Sequence, residues 1–292
     1  MTVNQLINLL AATTLIEMMV TIGLGVTVSD VLRVSKSWGL VARALLANYI
    51  LVPGAAVGLL VLFHANPMVA AGFLVAAVCP GAPYGPPFTV MAKGNATLAV
   101  GLMVILAASS AIIAPLLLRF LLPLVAGNTA LNINVFKMVG TLLGAQLLPL
   151  CLGLWIRHRR PLLADRLKKP ASVLSLALNL LTLAVIIAVQ FRMLREIRLR
   201  GYLGMLCLVI ASMAAGRLMG GRPCEGPKGM VLTTSVRNVG VSLVIATGSF
   251  PGTAAITSAT AYALFQTIVI ACVALAWGRL TPGITLVKKK AA

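Results

Sequence analysis

The chain has 292 residues, of which 60% fall in the apolar set AVILMFWYC and 10% carry charge, against about 25% charged in a water-soluble domain. That composition excludes a cytosolic globular enzyme, a disordered chain and a disulfide-stapled secreted module. The net charge is +19, from 24 Lys+Arg against 5 Asp+Glu. No basic stripe interleaved with aromatics accompanies it, so nucleic acid is not an expected partner.

A helix needs about 20 apolar residues to cross a bilayer, and nine runs approach or exceed that length: 6–28, 44–63, 68–92, 96–118, 138–156, 171–191, 201–216 (extendable to 221), 229–250 and 253–278. An all-α polytopic membrane protein follows. The opening MTVNQLINLL lacks a basic segment, so the first run is expected to be a retained span. It carries Glu17, the one carboxylate inside a span. The five cysteines (79, 151, 207, 224 and 272) are scattered without metal-ligand spacing and read as packing residues. No HExxH and no phosphate-cradling glycine loop is present, so no metal, cofactor or enzymatic activity is expected.

The third run contains AAVCPGAPYGPPFTVMAKGN. Pro80, Pro83, Pro86 and Pro87 with Gly81 and Gly85 cannot sit in one continuous α-helix. Irregular backbone at membrane depth persists only inside protein or beside water, so this span is expected to be a broken helix facing a cavity. The eighth run, GMVLTTSVRNVGVSLVIATGSF, holds Thr233, Thr234, Ser235, Arg237 and Asn238 near its middle. A charge there costs at least about 2.5 kcal/mol on insertion scales, which points to a second break.

The Lys/Arg tally sets the orientation. One set of connections holds Arg33, Lys36, Arg43, Lys93, six cations over 157–169, Arg217, Arg222, Lys228, Arg279 and Lys288–Lys290, 17 in all. The other holds six: Arg119, Lys137, Arg192, Arg195, Arg198 and Arg200. The N-terminus is therefore expected outside the inner membrane and the C-terminus in the cytoplasm. The cluster RMLREIRLR (192–200) runs against this rule. Spans 1–4 and 6–9 form two quartets of opposite orientation, and each break falls in the third span of its quartet. Paired breaks in inverted repeats mark a secondary transporter.

The residues carry a resemblance as well. Cys79-Pro80-Gly81 and Ala92-Lys93-Gly94-Asn95 within CPGAPYGPPFTVMAKGNATLA (79–99) resemble the fourth-helix signature of the bile acid/sodium symporter family. GLGVTVSD (23–30), ANYILVP (47–53) and RNVGVSLVIA (237–246) are similar to further family segments. The resemblance implies a core domain with two crossed broken helices beside a smaller panel domain. Carried over, the panel is the spans near 6–28, 138–156 and 171–191. The core is those near 44–63, 68–92, 96–118, 201–221, 229–250 and 253–278. The family's sodium-ligand positions correspond here to Pro86, Pro87, Ala99, Met103 and Thr233 at one site, and to Thr233, Asn48 and Arg237 at the other. The side chains of Pro86, Pro87, Ala99 and Met103 offer no oxygen to a hard cation, and Arg237 brings a permanent charge, so no metal site and no sodium coupling is expected.

Arg237 reads as a built-in cation that attracts an organic anion, helped by positive half-helix N-termini, or as a structural arginine that satisfies carbonyls or Glu17. Glu17 is a candidate proton-coupling group, a partner for Arg237, or a neutral core residue. Asn48, Pro83, Tyr84, Thr89, Thr233, Ser235, Asn238, Gln266 and Thr267 complete the candidate substrate-binding set around the inferred crossing. The expected function is alternating-access transport of a small organic anion across the lipid bilayer. The alternatives are a non-transporting ligand sensor or partner subunit of the same fold, and a proton-coupled or facilitative carrier. Nothing in the sequence fixes an oligomeric state.

Overall fold

Backbone amides in hydrocarbon must find partners within their own segment, which makes each long apolar run a helix. The computed structural model describes residues 2–126, 133–221 and 227–280; Arg222, Cys224 and Lys288–Lys290 fall outside them. Among the described residues the regular elements are all helical. They are α1 (Val3–Gly25), α2 (Val28–Ser35), α3 (Trp38–Leu46), α4 (Val52–Leu62), α5 (Pro67–Ala77), α6 (Gly85–Met91), α7 (Ala96–Ala126), α8 (Val135–Leu142), α9 (Leu148–Arg159), α10 (Pro161–Arg195), α11 (Leu199–Met219), α12 (Pro227–Ser235), α13 (Val239–Ser249) and α14 (Ala254–Leu280). Wide π turns, Ala47–Leu51 and Leu143–Leu147, join α3 to α4 and α8 to α9. Each precedes a proline, Pro53 or Pro149, that lacks the N–H to continue the regular ladder.

Among the described residues eight helices, counting each π-joined pair and α12–α13 as one, are long and apolar enough to cross a membrane. The broken pair α5–α6 adds a shorter apolar helix, Pro67–Ala77. Both breaks thus fall in the spans that the sequence marks. The helices differ from the sequence reading chiefly in three places. The fourth span continues past 118 to Ala126. The cationic segment 157–170 is helix rather than a connection, because α9 ends at Arg159 and α10 begins at Pro161. Arg, Lys, Leu and Ala are good helix formers, so the helices outlast their apolar stretches. Finally, Thr27, whose Oγ1 accepts from the Asp30 N–H at 3.2 Å, caps the short helix α2.

Small residues set the closest helix contacts, as in membrane bundles generally. α1 packs on α9 and α10 and, on another side, on α13. A Cβ at Gly153 would lie 2.3 Å from the Val20 carbonyl oxygen, and one at Gly23 would lie 2.5 Å from that of Leu150. α5 meets α14 and α11 meets α12 with similarly close backbones. Burial is uneven. In 227–249, 94% of the most apolar stretch is buried, against 11% in α10. The second broken helix is therefore shielded from lipid, as its irregular backbone requires.

Candidate functional site

Breaking a helix releases the carbonyls of its last turn. In α5 the chain leaves helical geometry at Cys79-Pro80, and Gly81 adopts φ +79°. A Cβ there would stand 2.4 Å from the Ala107 nitrogen of α7, so glycine meets both the backbone and the packing demand. The carbonyls of Ala77, Cys79 and Gly81 are thus free to accept from elsewhere. In the second break, α12 ends at Ser235 and α13 starts at Val239.

The two breaks cross and satisfy one another. The Asn238 backbone N–H donates to the Cys79 carbonyl at 2.7 Å, and its Nδ2 donates to the Gly81 carbonyl at 3.2 Å. Its Oδ1 accepts from the Val241 N–H at 3.2 Å and caps α13. Gln266 of α14 clamps the adjacent peptide, accepting from the Arg237 N–H at 3.0 Å and donating to the Arg237 carbonyl at 3.1 Å.

Arg237 is the largest fully buried side chain of the described residues, with 0% exposure. Its guanidinium donates through Nη1 to the Ala77 carbonyl at 3.2 Å, and through Nη2 to Asn48 Oδ1 at 3.0 Å and to the Thr234 carbonyl. Asn48 sits in the first π turn and donates to the Ala44 carbonyl at 2.9 Å and to Thr234 Oγ1 at 3.3 Å. The positive charge therefore rests on the carbonyl ends of α5 and α12, the negative ends of two half-helices, and on one amide oxygen. Its acceptors carry no formal charge.

Of the sequence alternatives for Arg237, this arrangement matches the one in which it satisfies carbonyls and departs from the others. The guanidinium answers half-helix C-termini and does not extend the field of the N-termini. It is also enclosed in protein and lines neither of the two cavities described below. Nor does Arg237 pair with Glu17. Glu17 Oε1 accepts from Thr21 Oγ1 at 2.8 Å, one turn along α1, and Oε2 is buried with no partner among the described residues.

The remaining candidates divide in two. Thr89, Ser235 and Thr267 donate to carbonyls four residues back, of Gly85, Val231 and Ala263, and so serve their own helices. Thr233 Oγ1 is buried and unpartnered among the described residues, on the side of α12 that faces Gly85. Pro86, Ala99 and Met103 are buried and apolar, and Pro87 is exposed. Pro83 and Tyr84 lie at the half-buried margin of the first break, where the Tyr84 hydroxyl accepts from Asn179 Nδ2 of α10.

Sequence reasoning passed over Asn179 and a polar cavity of about 280 Å³ between α1, α8 and α13, and it named Thr234 only as part of the polar block of the eighth run. Asn8, Asn134, Lys137, Thr141 and Ser249 line that cavity, and Asn8 Oδ1 accepts from Thr247 Oγ1 at 3.0 Å across the α1–α13 contact. α13 joins the two places, starting at the crossing and ending at the cavity. Lys137 is a surface cation near a span end, and only the fold shows that it faces α13.

The family model described as the Sodium Bile acid symporter family matches residues 12–197. That covers well over half of the chain and ends before the second break. No curated protein matches the chain.

Proposed function

The chain belongs to the sodium bile acid symporter family, and from that premise we propose that it is a secondary transporter of a small organic anion in which Arg237 stands permanently where a coupling cation would bind. One observation carries the reading: the buried guanidinium donates hydrogen bonds to the carbonyl ends of both half-helices at their crossing. Such a cluster of acceptors with no formal charge suits a cation. A covalently tethered cation cannot dissociate, so the crossing stays assembled without sodium.

In this reading α1, α8–α9 and α10 form a panel that rocks against a core made of the other spans. The anion enters through the polar cavity at the α1–α8–α13 boundary, where Lys137 is the cation within reach. Glu17 carries any coupled proton, an assignment favoured by its buried, unpartnered Oε2.

The test starts with a thermal-shift screen of small carboxylates and sulfonates on purified protein. Flux of the hits is then measured in proteoliposomes, with sodium replaced by potassium at constant ionic strength. Equal flux in the two salts is expected, with a response to a proton gradient that Glu17→Gln abolishes. A sodium-specific gain in flux would overturn the tethered-cation reading. Flux that ignores the proton gradient would remove Glu17 from the mechanism and leave a facilitator.

A further inference from the structure

A second cavity, about 550 Å³, lies apart from the crossing, where the α4–α5 connection, the α10–α11 connection and the start of α14 meet. Its volume falls within the range of about 300–1,000 Å³ usual for ligand pockets. Phe63, Val69, Phe73, Ile197 and Met205 make its walls apolar. Gly201 and Gly204 of α11 also line it; a Cβ at Gly204 would stand in ordinary contact with the Phe63 ring, at 3.7 Å. Arg198 and Arg200 line it as well, and both are exposed.

Those arginines belong to the run 192–200, the cluster that the topology tally leaves unexplained. The run holds four arginines against Glu196, which also lines the cavity. The local excess is positive. Connections between spans lie at the bilayer–water interface, so this cavity pairs a cationic rim at headgroup depth with apolar walls beside the acyl region. A small hydrophilic anion gains nothing from the walls, and a zwitterionic lipid gains little from the rim. Anionic phospholipid satisfies both. We propose that this cavity binds one anionic phospholipid, with its phosphate on Arg198 and Arg200 and an acyl chain between α4, α5 and α11. Arg198 and Arg200, two of the four arginines, then have a cause other than topology.

The test uses delipidated full-length protein in a neutral detergent, titrated with dioleoylphosphatidylglycerol or dioleoylphosphatidylcholine and followed by native mass spectrometry and melting temperature. Phosphatidylglycerol should bind and stabilise, and phosphatidylcholine should not. Each basic side chain near a surface lipid contributes enough that the Arg198→Gln/Arg200→Gln double variant should weaken phosphatidylglycerol about 5- to 30-fold. Gly204→Leu, which fills the chain slot, should weaken it too, and Glu196→Gln should tighten it. Lys168→Gln/Lys169→Gln, in the cationic segment at the start of α10, should leave it unchanged. Glycerol 3-phosphate, a headgroup without chains, should not compete. Equal binding of the two lipids, full retention by the arginine double variant, or competition by glycerol 3-phosphate would each overturn the proposal.

Discussion

Replacing Arg237 with glutamine tests what the guanidinium does at the crossing. The side chain donates to three acceptors: the Ala77 carbonyl, the Thr234 carbonyl and Asn48 Oδ1. A shorter, neutral amide can serve about one of them. Each buried acceptor left without a donor costs about 1–3 kcal/mol, so two of them cost about 2–6 kcal/mol. Against this, the variant no longer buries a full charge, a penalty of several kcal/mol. The terms are of similar size, and Arg237→Gln should insert and remain monodisperse with modestly reduced stability. The sharper outcome concerns ions. The vacated space is lined by oxygens that suit a small cation, so the variant should acquire a cation response that the parent lacks. At a sodium concentration about 100 times its dissociation constant, binding adds about 2.7 kcal/mol, which raises the melting temperature by about 5–10 °C. The assay is thermal unfolding of both proteins in sodium, potassium and choline chloride at equal ionic strength. A sodium-specific gain in the parent, or a stable Arg237→Gln variant indifferent to all three cations, would refute the reasoning.

Three further outcomes are expected. In a cysteine-free background, single cysteines at Ser37 and Lys169 should react only with reagents that reach the cytoplasm, and one at Asn66 should react with impermeant reagent from outside; the reverse pattern would invert the orientation. Gly81→Ala forces a positive φ on a side chain, about 1–2 kcal/mol, and a clash with the α7 backbone, about 1–3 kcal/mol, so yield and melting temperature should fall well below those of Gly58→Ala, where an added Cβ meets nothing within 4 Å. Tyr84→Phe and Asn179→Ala each remove one end of the same hydrogen bond, and a double-mutant cycle on melting temperature should give a coupling of about 0.5–1.5 kcal/mol, whereas additive losses would mean the contact contributes nothing.

The sequence carried the spans and both breaks because the physics that sets them is local. Apolar length decides what crosses, and prolines at 80, 83, 86 and 87 decide where the helix fails. Helix α2 escaped notice because eight residues between two spans leave no apolar run to count. The segment 157–170 read as a connection because hydropathy falls where the apolar stretch ends, while helical hydrogen bonding continues into water. Lys137 and Asn179 could not be singled out, since each is an ordinary polar residue until the fold brings α8 to α13 and α10 to Tyr84.

Arg237 shows most clearly where sequence reasoning stops. Its charge and depth were legible, and its direction was not. Whether a guanidinium at a helix break faces the amide ends or the carbonyl ends depends on how the second broken helix is laid across it. Here it meets carbonyls, which are acceptors only. Carbonyl ends attract donors and cations, and repel anions. An anionic substrate therefore gains nothing from this face of the crossing, and its charge must be met elsewhere. The polar cavity beside α13 offers Lys137 for that purpose. In the proposed transporter the two cations divide the work, Arg237 holding the crossing together and Lys137 receiving the anion, so Lys137→Gln should weaken transport while leaving thermal stability intact, whereas Gly81→Ala should lower stability.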